Sequence, residues 1–354
     1  MNEREILFVS NFLGNGGAAR VITVLAESFM KSGWKVSICS FPFEGMEYSK
    51  TPGINYIILE QKGSGAGKKI NRIKELRKEF KKHKDAVIVS FEYFMNMQTV
   101  IAAFGLRNKL VLSERNDPQR VGGQFPTYII RNILYSDCDV LVNQTEDAKA
   151  YFPKYIQKKA VVIPNAVKDD LPSVYEGRRN KTIVNFCRLE KQKNLPLLID
   201  AFEEFSISHP DYSLEIYGNG KEEEALRSYI SKKKTKDKIL LHKAVPDIHE
   251  KIVGSAMFVS SSDYEGISNS MLEAMAIGLP VICTDCPCGG AKMMIEDGVS
   301  GILTPVGDKD SLVRAMSRVA DDRKLAEYLS RNGKEIRERY SADRITEMWK
   351  KVVN

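Results

Sequence analysis

A chain of 354 residues, 43% hydrophobic and 28% charged, has the length and balance of a soluble globular protein with two domains of ordinary size. Its apolar runs are strand-length, which excludes a transmembrane helix, and its N-terminus lacks a signal peptide's layout; six cysteines are too few for a disulfide scaffold and suggest a reducing cytoplasm. Residues 1–165 hold 24 Lys and Arg against 16 Asp and Glu, a net of +8, while the rest hold 29 against 30, a net of −1. With no zinc-finger, helix-turn-helix or RNP-like pattern, that basic half suits an anionic membrane surface better than a nucleic acid.

In chain order, Glu5 to Ser10 reads as an apolar strand, NFLGNGGAAR as a glycine turn, and the residues through Met30 as an amphipathic helix. Gly33 stops the helix and Trp34 to Ser40 follows as a second strand, completing a βαβ unit. Gly14, Gly16 and Gly17 do not fit G-x-G-x-x-G, and SICSF stands where a dinucleotide fold carries an acidic residue. After a strand at Ile54 to Leu59 and a flexible GSGAG linker, Lys68 to Lys84 keeps a helical stripe of Ile70, Ile73, Leu76 and Phe80. The rest of that segment carries nine Lys and Arg against two Glu, a face suited to an anionic leaflet. Ala86 to Ser90 and Lys109 to Ser113 are further strands, each followed by a polar loop of the kind that binds ligands in α/β folds. CDVLVN from Cys138 to Asn143 is another strand.

Lys168 to Asn180 is polar and aperiodic, so the domain boundary falls there. Next come a strand at Thr182 to Cys187, a loop, and a helix from Leu195 to Phe205. Arg188 and Lys193, five apart on that strand-to-helix turn, can converge on one anion. Further strands follow at Ser213 to Tyr217, where Gly218 and Gly220 turn into a helix, and at Lys238 to His242. The strongest signal is SSDYEGISNSMLEAMAIGL, from Ser261 to Leu279, after a strand at Ala256 to Ser260. Glu265 lies in the loop and Glu273 eight residues on, within the helix; Gly266 permits close backbone approach, and Ser268 or Asn269 is the N-cap. Such a helix start presents free N–H groups to an anion, while the two carboxylates suit sugar hydroxyls. Pro280 to Thr284 is a buried strand, and Arg323 to Arg337 and Ala342 to Val352 are helical.

Taken together, these residues resemble the E-x7-E signature of family 4 glycosyltransferases of the GT-B fold. TDCPCGGAK, from Thr284, resembles the segment that follows it in capsule and exopolysaccharide members. The first glycine turn resembles the family's GGAER loop, with Ala19 in place of Glu, and IPNAV at Ile163 to Val167 resembles its I-P-N-G-V boundary. SERNDP resembles S-E-H-N, with Arg115 where many members carry His. Cys187 to Lys193 matches G-R-L-x-x-x-K, with Cys187 replacing Gly.

The resemblance implies two facing Rossmann-like parallel-sheet domains. Residues 1–167, with 340–354 packing back on them, form the acceptor side, 168–180 a linker, and 181–339 the nucleotide-sugar domain. It further implies a retaining transfer of a hexose or N-acetylhexosamine from a nucleotide-sugar, UDP being favoured, to a glycan or polyprenyl-linked acceptor. Glu265 would hold the donor sugar's hydroxyls, Glu273 the ribose, and Arg188 and Lys193 the diphosphate, with Gly16 and Gly17 opposite. Gly218, Gly220, Gly266, Ile267, Ser268, Asn269, Ser270 and Met271 complete the donor site. On the acceptor side stand Glu92, Asn116 and Arg115, the last either binding an anionic group or pairing with Glu114 or Asp117. Arg188 and Lys193 can replace a divalent ion, so no metal and no cofactor is expected; Cys283, Cys286 and Cys288 lack a fourth ligand. Asp137-Cys138-Asp139 reads as a strand-start turn rather than a D-x-D metal site. The expected place is the cytoplasm, at the inner face of the membrane if Lys68 to Lys84 binds there. Two other readings stay open: a nucleotide-sugar epimerase on the same fold, and a hinged ligand binder without turnover.

Overall fold

The computed structural model describes residues 4–13, 17–42 and 50–354, which form two compact units. The first unit comprises Met1–Ala166 with Ala342–Asn354, and the second Val167–Ser341. The first is built on strands β1 (Glu5–Val9), β2 (Lys35–Ser40), β3 (Asn55–Ile58), β4 (Val87–Phe91), β5 (Leu110–Ser113), β6 (Val140–Asn143) and β7 (Ala160–Val162). Its order is β3-β2-β1-β4-β5-β6-β7, all parallel. The second has β8 (Thr182–Phe186), β9 (Ser213–Tyr217), β10 (Ile239–His242), β11 (Met257–Ser260), β12 (Val281–Thr284) and β13 (Ile302–Thr304). It runs β10-β9-β8-β11-β12-β13, again all parallel.

Helices cover both faces of such sheets, so central strands read as continuous apolar runs rather than alternating ones. Ile6, Leu7, Phe8 and Val9 of β1 are all fully buried, as are Val281 and Ile282 of β12. β9, next to an edge, alternates instead, burying Leu214 and Ile216 only. In each sheet the strand order reverses once, between β1 and β4 and between β8 and β11. Loops at the carboxyl ends of those strands flank a crevice, the usual ligand position in an open parallel sheet.

Several boundaries differ from the sequence reading. The basic helix spans Gly65–Lys82, so it starts inside the stretch expected to be a flexible linker. Leu76 and Phe80 are buried and Ile73 packs beside them, but Ile70 points to solvent, because the sheet meets only the C-terminal half of the helix. Residues 168–180 are fastened to the second unit rather than free: Leu171 is buried, and Arg179 donates to the carbonyls of Val253 (3.0 Å), Ser255 (3.0 Å) and Gly278 (2.6 Å). The expected helix Arg323 to Arg337 is two, Arg323–Gly333 and Ile336–Arg339. The last helix, Ala342–Val353, buries Trp349 completely, with its ring stacked 5.7 Å from Phe91.

Candidate functional site

The second sheet's switch point gathers two loops, Cys187–Asn194 after β8 and Ser261–Ser268 after β11. They are laced together by polar side chains. Ser261 Oγ donates to the carbonyls of Lys193 (3.1 Å) and Asn194 (2.9 Å). Asn194 Nδ2 donates to Asp263 Oδ1 at 2.7 Å, and the Asp263 amide donates to the Gln192 carbonyl at 2.9 Å. Asn194 sits at φ 43°, a left-handed conformation that Asn tolerates better than most residues. It ends the single turn Lys191–Lys193 and lets the helix Leu195–Ser208 begin at once.

This lacing sets Lys193 against Glu265. Lys193 Nζ forms an ion pair with Glu265 Oε1, Ser262 Oγ donates to the same oxygen at 3.0 Å, and Gln192 Nε2 donates to Oε2 at 3.0 Å. Both side chains are largely buried. Burial disfavours the Lys193 ammonium, but the adjacent carboxylate outweighs it and raises its pKa above the ordinary 10.5. An ionised carboxylate has about four acceptor positions, so roughly one stays open on Glu265.

Arg188 projects into solvent beside this pair, close enough for its charge to oppose that of Lys193. Among the described residues its guanidinium has no hydrogen-bond or ion-pair partner. Gly218 and Gly220 hold the loop from behind: a Cβ at either would lie 2.0 Å from the Cys187 carbonyl oxygen or 2.2 Å from that of Leu189. The Cys187 and Leu189 amides donate to Tyr217 (3.0 Å) and Asn219 (2.9 Å) through that close approach. These two glycines therefore fit backbone to backbone and place Arg188.

The helix after the second loop spans Asn269–Ala276, and Ser268 caps it, its Oγ accepting from the Met271 amide at 3.4 Å. Ile267 and Met271 are core residues, whereas Asn269 and Ser270 are half-buried at the helix start. Gly266 is fixed by a residue the sequence reading missed: a Cβ on Gly290 would sit 1.7 Å from the Gly266 oxygen. The doubled glycine of TDCPCGGAK was the available signal. Also missed was His249, whose Nε2 lies 2.8 Å from Glu273 Oε2, both residues being buried. The His249 ring packs edge-on to Phe186 at 5.7 Å. Nothing local announces that pair. Gln192, Ser261 and Ser262 were missed as well; for the two serines the available signal was their place at the end of an apolar strand, and Gln192 in its single turn carried none.

In the first unit, Gly17 begins the helix Gly17–Lys31, and Gly16 lies outside the described residues. Glu92 follows β4 with φ 73°, an unusual backbone for a non-glycine residue, and is exposed. Arg115 pairs with neither Glu114 nor Asp117. Its guanidinium lies 5.3 Å from the Phe91 ring and 5.9 Å from Trp349, and Nη1 reaches the Ile163 carbonyl at 3.5 Å. Nε and Nη2 are enclosed without partners, and this burial pushes its pKa down to about 9. Glu114 instead accepts the Tyr135 hydroxyl, its pKa raised by burial, and Asp117 accepts the Gln119 amide at 2.8 Å. Asn116 is half-buried, its Oδ1 accepting the Asp117 amide at 2.8 Å. Asp139 accepts the Leu110 amide at 2.6 Å, as a strand-start turn does. No helix among the described residues is long and apolar enough to cross a membrane.

Two family models match the chain: "Glycosyltransferase Family 4" over residues 15–171 and "Glycosyl transferases group 1" over residues 169–336. An uncharacterized glycosyltransferase of Haemophilus influenzae is 23% identical over 352 residues, covering 98% of each chain. An undecaprenol-linked-glycan α-1,4-N-acetyl-D-galactosaminyltransferase of Campylobacter jejuni is 24% identical, over 99% of this chain and 98% of that one. Among solved structures, Anabaena HepE in complex with UDP and glucose superposes with a TM-score of 0.83 at 17% identity, over 99% of each chain. The fold is thus that of the GT-B enzymes, two Rossmann-like parallel-sheet domains, and neither the epimerase nor the non-catalytic binder is favoured. Matched along both halves, the chain belongs to the family 4 glycosyltransferases.

Proposed function

We propose that this glycosyltransferase moves a hexose or N-acetylhexosamine from a UDP-sugar, with retention at the anomeric carbon, to a glycan or polyprenyl-linked acceptor of a bacterial surface polysaccharide. The observation that carries it is the Lys193–Glu265 ion pair, with Arg188 beside it and without a partner among the described residues, at the switch point of the second sheet. Cleaving the anomeric C–O bond leaves a nucleoside diphosphate with new negative charge. Arg188, Lys193 and the helix start at Ser268 to Met271 stabilise that charge without a divalent metal or cofactor. Loss of one such fixed donor costs about 2.7–4 kcal/mol of barrier. Glu265 uses its open acceptor position on a donor-sugar hydroxyl, and Glu273, oriented by His249, takes the ribose. Gly218 and Gly220 keep the diphosphate loop in register, Gly16 and Gly17 face the donor diphosphate, and Glu92, Arg115 and Asn116 belong to the acceptor side.

Support for the donor and acceptor classes comes from HepE, solved with UDP and glucose, and from the Campylobacter relative, named for an undecaprenol-linked acceptor. A lipid-linked acceptor fits peripheral attachment to the inner face of the membrane through Lys68 to Lys84. Arg72 and Arg77 of that segment are tied to Asn11 and to the carbonyls of Ala102 and Phe104, and Lys78 and Lys82 pair with Glu75 (2.6 Å) and Glu79 (2.7 Å), which leaves Lys69, Lys74 and Lys81 for lipid. Thermal-shift screening of UDP-, GDP- and dTDP-sugars, then assay of nucleoside diphosphate release with lipid-linked acceptors, tests the proposal. Stabilisation by UDP-sugars and acceptor-dependent UDP release is expected; stabilisation by none of the three would overturn it.

A further inference from the structure

The helix Thr127–Tyr135 is inside out. It turns Arg131 and Asn132 toward the protein, with Arg131 fully buried and its Nη1 donating to the carbonyls of Pro118 (2.8 Å) and Val121 (3.2 Å). The same guanidinium lies over Tyr151 and Phe152, at 5.2 and 4.9 Å. Ile129, Ile130 and Ile133 face the other way and are 39%, 48% and 63% exposed, while Phe125 just before them is 77% exposed. A helix whose outer side meets only water carries the opposite pattern. Tyr93–Ala103 packs against this helix and also turns apolar side chains outward, Phe94 and Ile101. Clusters of large exposed apolar side chains mark surfaces that another phase or molecule covers.

Charge selects what covers this one. The basic helix Gly65–Lys82 packs on Tyr93–Ala103, and Arg77 fastens it there through the Ala102 (2.8 Å) and Phe104 (2.7 Å) carbonyls. Lys69, Lys74, Lys78 and Lys81 stay exposed on it. Apolar side chains beside a row of ammonium groups match the chemistry of an anionic bilayer surface.

We propose that Phe125 and the Ile129, Ile130 and Ile133 face of Thr127–Tyr135 insert into the headgroup region of an anionic membrane, while the lysines of Gly65–Lys82 hold the lipid charge. This rests on the peripheral-membrane reading above and adds the element that enters the bilayer. Trp34 and Trp349 are both buried, so an indole introduced by Ile133→Trp reports on its own position. With vesicles of phosphatidylglycerol and phosphatidylcholine, its emission should shift to the blue and be quenched by lipids brominated on the acyl chain; pure phosphatidylcholine should do much less. Ile129→Asp with Ile133→Asp should lower partition onto the anionic vesicles by about tenfold or more, with melting temperature and UDP binding kept. Vesicle binding that leaves the introduced indole unshifted and unquenched would refute insertion while leaving peripheral attachment and sugar transfer standing. Failure of the wild type to bind anionic vesicles would overturn both membrane statements. So would a self-associated wild type that Ile129→Asp disperses without any vesicle binding. UDP-sugar turnover is independent of all three outcomes.

Discussion

Replacing Arg188 by alanine separates catalysis from stability more cleanly than any other change in the site. The side chain is exposed and has no hydrogen-bond or ion-pair partner among the described residues, so folding loses little with it. A surface substitution of this kind stays within about 0.5 kcal/mol, which in a unit this size moves the melting temperature by under about 2 °C. A fixed cation on a departing diphosphate is worth about 2.7–4 kcal/mol of barrier, so kcat/KM should fall about 10²- to 10³-fold. Nucleoside diphosphate release at several donor concentrations, together with a thermal melt of the same preparation, gives both numbers. An unchanged kcat/KM would remove Arg188 from the mechanism, and a large loss of melting temperature would show that the guanidinium holds a contact in solution. Either result refutes the reasoning.

Lys193 behaves differently because Glu265 depends on it. Lys193→Met should destabilise by about 3 kcal/mol, the low end for breaking a buried pair, since Ser262 and Gln192 still serve the carboxylate. The folded protein holds the Lys193 proton more tightly than the unfolded chain, so the wild-type advantage is complete below the ordinary 10.5 and fades as pH rises through the higher folded value. Denaturation curves of both proteins across the alkaline range check this; a wild-type lead that persists unchanged at the most alkaline pH would contradict it. Gly290→Ala drives a methyl group to within 1.7 Å of the Gly266 oxygen. It should cost about 1–3 kcal/mol and raise the donor KM, read from melts and steady-state kinetics. His249→Phe keeps a ring against Phe186 but removes the donor to Glu273; about 1–3 kcal/mol of stability and a weaker UDP titration are expected, and unaltered UDP affinity would detach His249 from the ribose.

What the sequence could show depended on how far each contact reaches along the chain. The E-x7-E helix and its Ser268 cap were legible because both are local, set by strand, glycine, cap and apolar spacing within twenty residues. The parallel sheets were legible because strands buried on both faces must be apolar throughout. The Glu273–His249 pair spans 24 positions between two elements, and no spacing rule connects them. Gly290 looked like part of a family segment, and only the path of Gly266 beneath it explains why no Cβ fits. The helix Thr127–Tyr135 was not read from the sequence at all. Apolar periodicity reveals that a helix has two faces but not which one meets the core, and here Arg131 takes the inner side by donating to two backbone carbonyls. Arg115 could equally have paired with an adjacent carboxylate, until the rings of Phe91 and Trp349, from distant elements, enclosed it.

A crystal structure of the protein with UDP tests the central claim most directly. The diphosphate should lie within hydrogen-bond distance of Arg188 and the amides that open the Ser268 helix, with Lys193 alongside. A nucleotide bound in the other unit, or in the second unit away from those groups, would contradict the account.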